Sequence, residues 1–190
     1  MINAFQEANQ NYRFLLKLCT LESNKSFMSF QNKVVWITGA SSGIGKALAL
    51  ELSSQNTLLI ISARNEESLE SVKQACKNPE NVWVLPLDLE QYKEFNKTTE
   101  QAIKVFGRID ILVNNGGISQ RSLAKDTLVA VDQKIMDVNY TGTVALTKAV
   151  LPYFLEKKQG HIVVTTSIVG KIGTPLRSSY AASKHALHGF

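Results

Sequence analysis

Five short apolar runs, each followed by a longer polar or amphipathic stretch, constrain this chain more than any other feature. They are Val34-Val35-Trp36-Ile37-Thr38, Leu58-Leu59-Ile60-Ile61, Val82-Trp83-Val84-Leu85, Ile109-Asp110-Ile111-Leu112-Val113 and Ile162-Val163-Val164-Thr165-Thr166. The runs are β-branched and mostly apolar at consecutive rather than alternate positions, so strands built from them must be covered on both faces. Between them the pattern predicts helices from the glycines to about Ser54, from about Glu66 to Lys77, and over 91–106. Two further helical stretches end near Glu156. Strands alternating with helices through short connections require parallel pairing and right-handed crossovers. The expected fold is α/β, a doubly wound parallel sheet.

The first connection carries the first chemical signal. Thr38-Gly39-Ala40-Ser41-Ser42-Gly43-Ile44-Gly45 joins the first strand to the first helix. Gly39, Gly43 and Gly45 allow a tight turn and let a pyrophosphate approach the backbone, as in Rossmann-like folds. The helix that follows offers N–H groups and the positive end of its dipole, and Ser41 and Ser42 add hydroxyl donors. Glycines alone would also suit a purely structural strand–helix turn; their place directly after strand one favours the dinucleotide reading.

The end of the second run discriminates between dinucleotides. An acid there would bond a ribose 2′-OH and repel a 2′-phosphate. This chain reads Ser62-Ala63-Arg64, without a carboxylate and with a guanidinium suited to a phosphate dianion. The alternative is an exposed arginine at a helix start. The expected cofactor is NADP(H).

The spacing G-x-x-x-G-x-G, preceded by Thr38, resembles the TGxxxGxG signature of the short-chain dehydrogenase/reductase family. The resemblance recurs from Lys33 to Phe190 and falls in the branch typified by dehydrogenase/reductase members 7 and 7B. Asn114-Asn115-Gly116-Gly117, the Ser-Gln-Arg-Ser that follows, and Tyr180-Ala181-Ala182-Ser183-Lys184-His185-Ala186 carry it there. The family usually reads NNAG, from which Gly116 departs by one methyl. The resemblance implies that Asp88 and Leu89 meet the adenine, although an Asp at this place could equally cap a helix. It also implies that Ile44, Asn115 and Gly116 belong to the cofactor site.

Tyr180 and Lys184 stand at i and i+4, on one face of a helix. Free tyrosine titrates near 10, and a nearby ammonium favours the phenolate, which is why acid–base chemistry pairs the two. Such a pair alone is common on surface helices. Ser167 lies 13 residues upstream, where the family places the serine that bonds the substrate carbonyl. Asn139, in Asp137-Val138-Asn139-Tyr140, matches the family's fourth catalytic member, which kinks a helix and anchors a water near the lysine; by itself it could merely close a helix turn. The resemblance implies Lys184 on the nicotinamide ribose and Tyr180 as proton donor. The implied reaction is hydride exchange between NADP(H) and a carbonyl or alcohol substrate, with a hydrophobic, steroid- or retinoid-like ketone or aldehyde suggested by the branch.

Composition excludes other classes. The 190 residues are 44% hydrophobic and 19% charged, an ordinary globular balance, and the net charge of +5 is not concentrated in a block that would suit nucleic acid. Cys19 and Cys76 have no partner motif, and His161, His185 and His188 form no metal pattern, so no metal site or disulfide is expected. No run approaches the roughly 18 apolar residues of a membrane span. The expected location is cytoplasmic, with membrane association at the endoplasmic reticulum the alternative implied by the family branch. Residues 1–28 read as a non-core extension and 29–190 as the NADP-binding domain. Measured against the family, the last strands and the substrate lid are expected to lie beyond Phe190. A homodimer or homotetramer is implied for the full-length protein, and a non-catalytic dinucleotide-binding fragment is the alternative to an enzyme.

Overall fold

β1 (Val34–Thr38) is buried along its whole length and forms the centre of the sheet, as its unbroken apolar run requires. The computed structural model describes residues 29–190. The N-terminal extension over 1–28, with Cys19, lies outside the described residues. β2 (Leu58–Ser62) and β3 (Val82–Val84) stack on one side of β1, and β4 (Ile111–Asn114) and β5 (His161–Val164) on the other. The order is β3-β2-β1-β4-β5 and every neighbouring pair is parallel.

Alternate residues of β1, β2 and β4 feed two separate cores. On one face Val34, Trp36, Ile60 and Leu112 pack against Phe95 and Ala102 of α3 (Phe95–Phe106) and Leu146, Val150 and Phe154 of α5 (Gly142–Lys157). On the other, Val35, Ile37, Leu59, Ile61 and Val113 meet Ala49 and Leu52 of α1 (Gly43–Ser53) and Leu69 and Val72 of α2 (Glu66–Ala75). Each fully buried aliphatic side chain contributes roughly 1.5–3 kcal/mol, so these two layers hold the helices against the sheet. Trp36 is the largest fully buried side chain, and its Nε1 donates to Ser62 Oγ at 2.8 Å.

Several boundaries differ from the sequence reading. β4 begins at Ile111 rather than Ile109, because Asp110 accepts from Val34 N at 2.7 Å and from Arg108 Nε at 3.0 Å. The third helix begins at Phe95, after a turn and a 3-10 segment over Tyr92–Glu94. β5 ends at Val164, and the Thr165 carbonyl accepts from Lys184 Nζ. β5 is the outermost strand on its side of the sheet. Among the described residues it pairs with β4 alone, and Ile162 and Val163 are exposed.

Beyond β4 the chain forms α4 (Val129–Met136), a π-helical segment (Asp137–Thr141) leading into α5, and finally α6 (Ser178–Gly189). No helix among the described residues is long and apolar enough to cross a membrane.

Candidate active site

The carboxyl ends of β1, β2, β4 and β5 open on a cleft of about 590 Å³. That lies within the roughly 300–1,000 Å³ typical of small-molecule and cofactor sites. Strands run outward from β1 in opposite directions, and the loops leaving β1 and β4 diverge there, which is where doubly wound sheets bind ligands.

The glycine turn forms one wall. Gly39 has φ +65°, and a Cβ on it would stand 2.7 Å from Gly116 Cα. A Cβ on Gly45 would meet Gly39 O at 2.3 Å and Asn115 Nδ2 at 2.7 Å. Both positions therefore exclude larger residues. Gly45→Ala must open the turn; overpacking of this kind costs about 1–3 kcal/mol. Thermal denaturation should show that loss, and dinucleotide titration should show a larger proportional loss of affinity. Gly45 itself is buried behind the turn, whereas Gly39, Ser41, Ser42, Gly43 and Ile44 line the cleft. Ser42 occupies the N-cap of α1 in extended conformation without capping it through its side chain, so the positive end of the helix faces the cavity.

Thr38 sews this turn to the end of β4. Its Oγ1 accepts from Asn115 N and Gly116 N, both at 3.0 Å, while Asn115 Nδ2 donates to Thr38 O (3.2 Å) and Gly39 O (3.3 Å). Asn115 thus lines the cleft with its amide committed to the turn. Gly116 lacks the usual methyl, and Leu89 occupies that space: a Cβ on Gly116 would lie 2.7 Å from Leu89 Cδ1.

Arg64 lies at the far end of the cleft, exposed. Asn65, not Arg64, caps α2 by accepting from Ser68 N at 2.7 Å. The Arg64 guanidinium makes no hydrogen bond or ion pair among the described residues, an arrangement common to an exposed arginine at a helix start and to an open phosphate site. Asp88 does not cap a helix; its Oδ1 accepts from Glu90 N at 3.1 Å in a tight turn, with its side chain at the cleft.

Ser167, Tyr180 and Lys184 line the opposite end of the same cavity. Lys184 Nζ donates to Thr165 O at 2.8 Å and lies 5.7 Å from the Tyr180 ring centroid. The Arg177 guanidinium lies 5.8 Å from the same centroid. Ser167 Oγ accepts from Val169 N at 3.4 Å, fixing the turn over Ile168–Gly170. Burial pushes the Lys184 ammonium below its ordinary 10.5. Between the lowered folded value and 10.5 the unfolded chain then binds more protons, so this residue's contribution to stability rises with pH across that window. Lys184→Met should flatten that rise, which thermal unfolding measured through the alkaline range would show.

Asn139 stands one layer behind the cleft rather than on its wall. It is fully buried in the π-helical segment, a feature frequent at functional sites. Its Oδ1 accepts from Ile118 N at 2.8 Å, and its Nδ2 donates to Ile118 O at 2.9 Å and Ser183 Oγ at 3.0 Å. Ser183 Oγ donates in turn to Tyr180 O at 2.8 Å. Thr38, Ser183 and Gln120 stand inside the motifs of the sequence but carry structural bonds that those motifs do not spell out. The one available signal was α6 itself, which starts at Arg177 without a capping residue. Among the described residues no group of three or more His, Cys, Asp and Glu could hold a metal ion.

A glycine turn at a helix start, joined through one cleft to a Ser–Tyr–Lys cluster at the switch point of a parallel sheet, matches the dinucleotide-binding oxidoreductase class. The chain belongs to the short-chain dehydrogenase/reductase family: the family model for short chain dehydrogenase matches residues 33–190. It is 52% identical over 162 residues to human dehydrogenase/reductase SDR family member 7, covering 83% of this chain and 48% of that protein. Mouse member 7B is 40% identical over 175 residues, covering 90% and 54%. The chain spans about half the length of these curated relatives. A short-chain dehydrogenase/reductase from Burkholderia phymatum in complex with NAD superposes with a TM-score of 0.80 at 26% identity, covering 85% of this chain and 58% of that one. Levodione reductase gives 0.79 at 30% identity, covering 84% and 64%. The family binds nicotinamide dinucleotides.

Proposed function

We propose that the protein is an NADP(H)-dependent oxidoreductase that interconverts a ketone or aldehyde and its alcohol. The carrying observation is that Ser167, Tyr180 and Lys184 share one cleft with the glycine turn. The residues fit the dinucleotide: Gly39 and Gly45 close the turn too tightly for any side chain, a Cβ on Gly43 would stand in open space on the cleft wall, and a guanidinium unpaired among the described residues waits at the adenosine end. Gly39, Ser41, Ser42, Gly43, Ile44 and Gly45 hold or shape the pyrophosphate site, Arg64 takes the 2′-phosphate, and Asp88 and Leu89 flank the adenine. Asn115 and Gly116 form the wall between the two halves. The nicotinamide, when bound, supplies or accepts the hydride.

The chain's own residues manage the proton and the oxygen. Ser167 donates to the carbonyl oxygen and orients it. Tyr180 gives its proton to that oxygen as it becomes an alkoxide, and takes a proton back in the alcohol direction. Lys184 and Arg177 place positive charge against the Tyr180 ring, where negative charge collects during transfer. Lys184 also takes the nicotinamide ribose. Asn139 fixes the frame that carries Tyr180.

The substrate is a hydrophobic carbonyl of steroid-like or retinoid-like bulk. Ile168 and Ile172, on the segment directly after Ser167, are 70% and 62% exposed, an apolar lip beside the reactive serine. NADPH oxidation by the full-length protein, followed by absorbance, tests the reading. Bulky apolar ketones or aldehydes should be turned over with the matching alcohol as product. NADPH binding without alcohol formation from any of them would overturn it.

A further inference from the structure

We infer that Gln120 is a positioning residue that holds the reactive tyrosine by capping its helix from outside, an inference that rests on Tyr180 being the acid–base group. A helix start leaves its first N–H groups without intrahelical partners, and a Ser, Thr, Asp or Asn at the N-cap normally satisfies one of them. α6 has Arg177 at that position, in a non-helical conformation (φ −135°, ψ 27°), with no side-chain cap of its own. The carboxamide of Gln120, from the loop after β4, fills the vacancy. Its Oε1 accepts from Tyr180 N at 3.2 Å, while its Nε2 donates to Ser179 Oγ at 3.2 Å and Ser178 Oγ at 3.4 Å. The N–H of Tyr180 sets which end of the amide points inward, since only the oxygen can accept from it.

The grip is specific to the tyrosine. Its peptide N–H is held by Gln120 and its carbonyl by Ser183, which is itself held by Asn139. Asn139 also clamps both backbone groups of Ile118, two residues before Gln120. One short segment, 118–120, therefore ties the tyrosine's backbone to the end of β4 from two sides. The entry to α6 needs such restraint. Leu176 adopts φ +63°, a region that L side chains rarely occupy, and its carbonyl accepts from Ser122 N at 3.3 Å. Arg177 reaches Ser119 Oγ, and Ser179 Oγ reaches Asp132. Freed from Gln120, the first turn of α6 frays, and the phenol moves with it, whereas the glycine turn at the other end of the cleft stays as it is.

The test compares Gln120→Ala, Gln120→Glu, Tyr180→Phe and the Gln120→Ala/Tyr180→Phe double variant in the full-length protein, with NADPH and benzaldehyde as probe. Gln120→Ala should lower kcat about tenfold, the scale of losing a cap, with NADPH affinity within about twofold. Gln120→Glu keeps an acceptor for Tyr180 N and should retain kcat within about threefold. In the Tyr180→Phe background Gln120→Ala should have no further effect, because it acts through the tyrosine. Amide exchange across 178–182 should quicken about tenfold in Gln120→Ala, a readout that needs no substrate. Unchanged exchange there, an unchanged kcat, or the same kcat fall in the Tyr180→Phe background each overturns the inference while leaving the tyrosine assignment standing. Wild-type turnover by Tyr180→Phe would instead remove the assignment, and the inference with it.

Discussion

Tyr180→Phe is expected to remove about 10³-fold from kcat, within the range that positioned acid–base groups contribute, and to leave NADPH affinity within about twofold. The asymmetry follows from where the hydroxyl sits. The ring is packed beside Lys184 and Arg177, whose cations lie 5.7 and 5.8 Å from its centroid, and phenylalanine keeps that packing. What is lost is the proposed proton donor alone. The glycine turn and Arg64, to which the proposed function assigns the phosphates, lie at the other end of the cleft and are untouched. A fall in kcat and in kcat/KM by the same factor would mark an interaction made only in the transition state. Stopped-flow NADPH oxidation together with a fluorescence titration measures both quantities.

Ala63→Asp combined with Arg64→Leu should move the preference from NADPH toward NADH by about 100-fold or more in kcat/KM. A hydrogen bond to a charged group is worth about 1.5–3 kcal/mol, and the introduced carboxylate adds repulsion against a 2′-phosphate where there was attraction. The pair is well placed for this exchange because Arg64 holds no part of the fold and Ala63, at the margin of one core, is only partly buried. Asn65 caps α2, Ser62 is engaged by Trp36, and Arg64 has no partner among the described residues. Stability should therefore change little, and competitive titration with the two dinucleotides separates recognition from folding. An unchanged ratio would place the discrimination on another wall of the cleft.

The sheet was legible in the sequence because its strands are continuous apolar runs, and burial on both faces is the only arrangement that satisfies them. β1 shows this most clearly, with all five residues buried. β5 shows its limit: the same composition, Ile162-Val163-Val164, is largely exposed among the described residues, since apolar sequence states what a strand prefers and not what covers it. The glycine turn and the Tyr180–Lys184 pair were readable through spacing, which fixes faces and turns. Asn139 was readable as a residue at a helix kink, through the resemblance. It lies in a π-helical segment, and what the sequence did not show is its partners, Ile118 and Ser183. Gln120 was opaque because its partners are 58–60 residues away, and no local pattern encodes a cap supplied by another loop. Boundaries shifted for similarly non-local reasons, as when Asp110 takes the Val34 amide in place of a longer ladder.

The most direct measurement is the fate of a label. NADPH deuterated at the transferable position of the nicotinamide is incubated with the full-length protein and a bulky apolar ketone, and the alcohol is examined by mass spectrometry. The account predicts one deuterium on the carbinol carbon of the product, transferred about 10³-fold more slowly when Tyr180 is replaced by Phe and at an undiminished rate when Arg64 is replaced by Leu at saturating dinucleotide. Dinucleotide binding with no labelled alcohol from any such ketone, or label transfer undiminished by Tyr180→Phe, would contradict it.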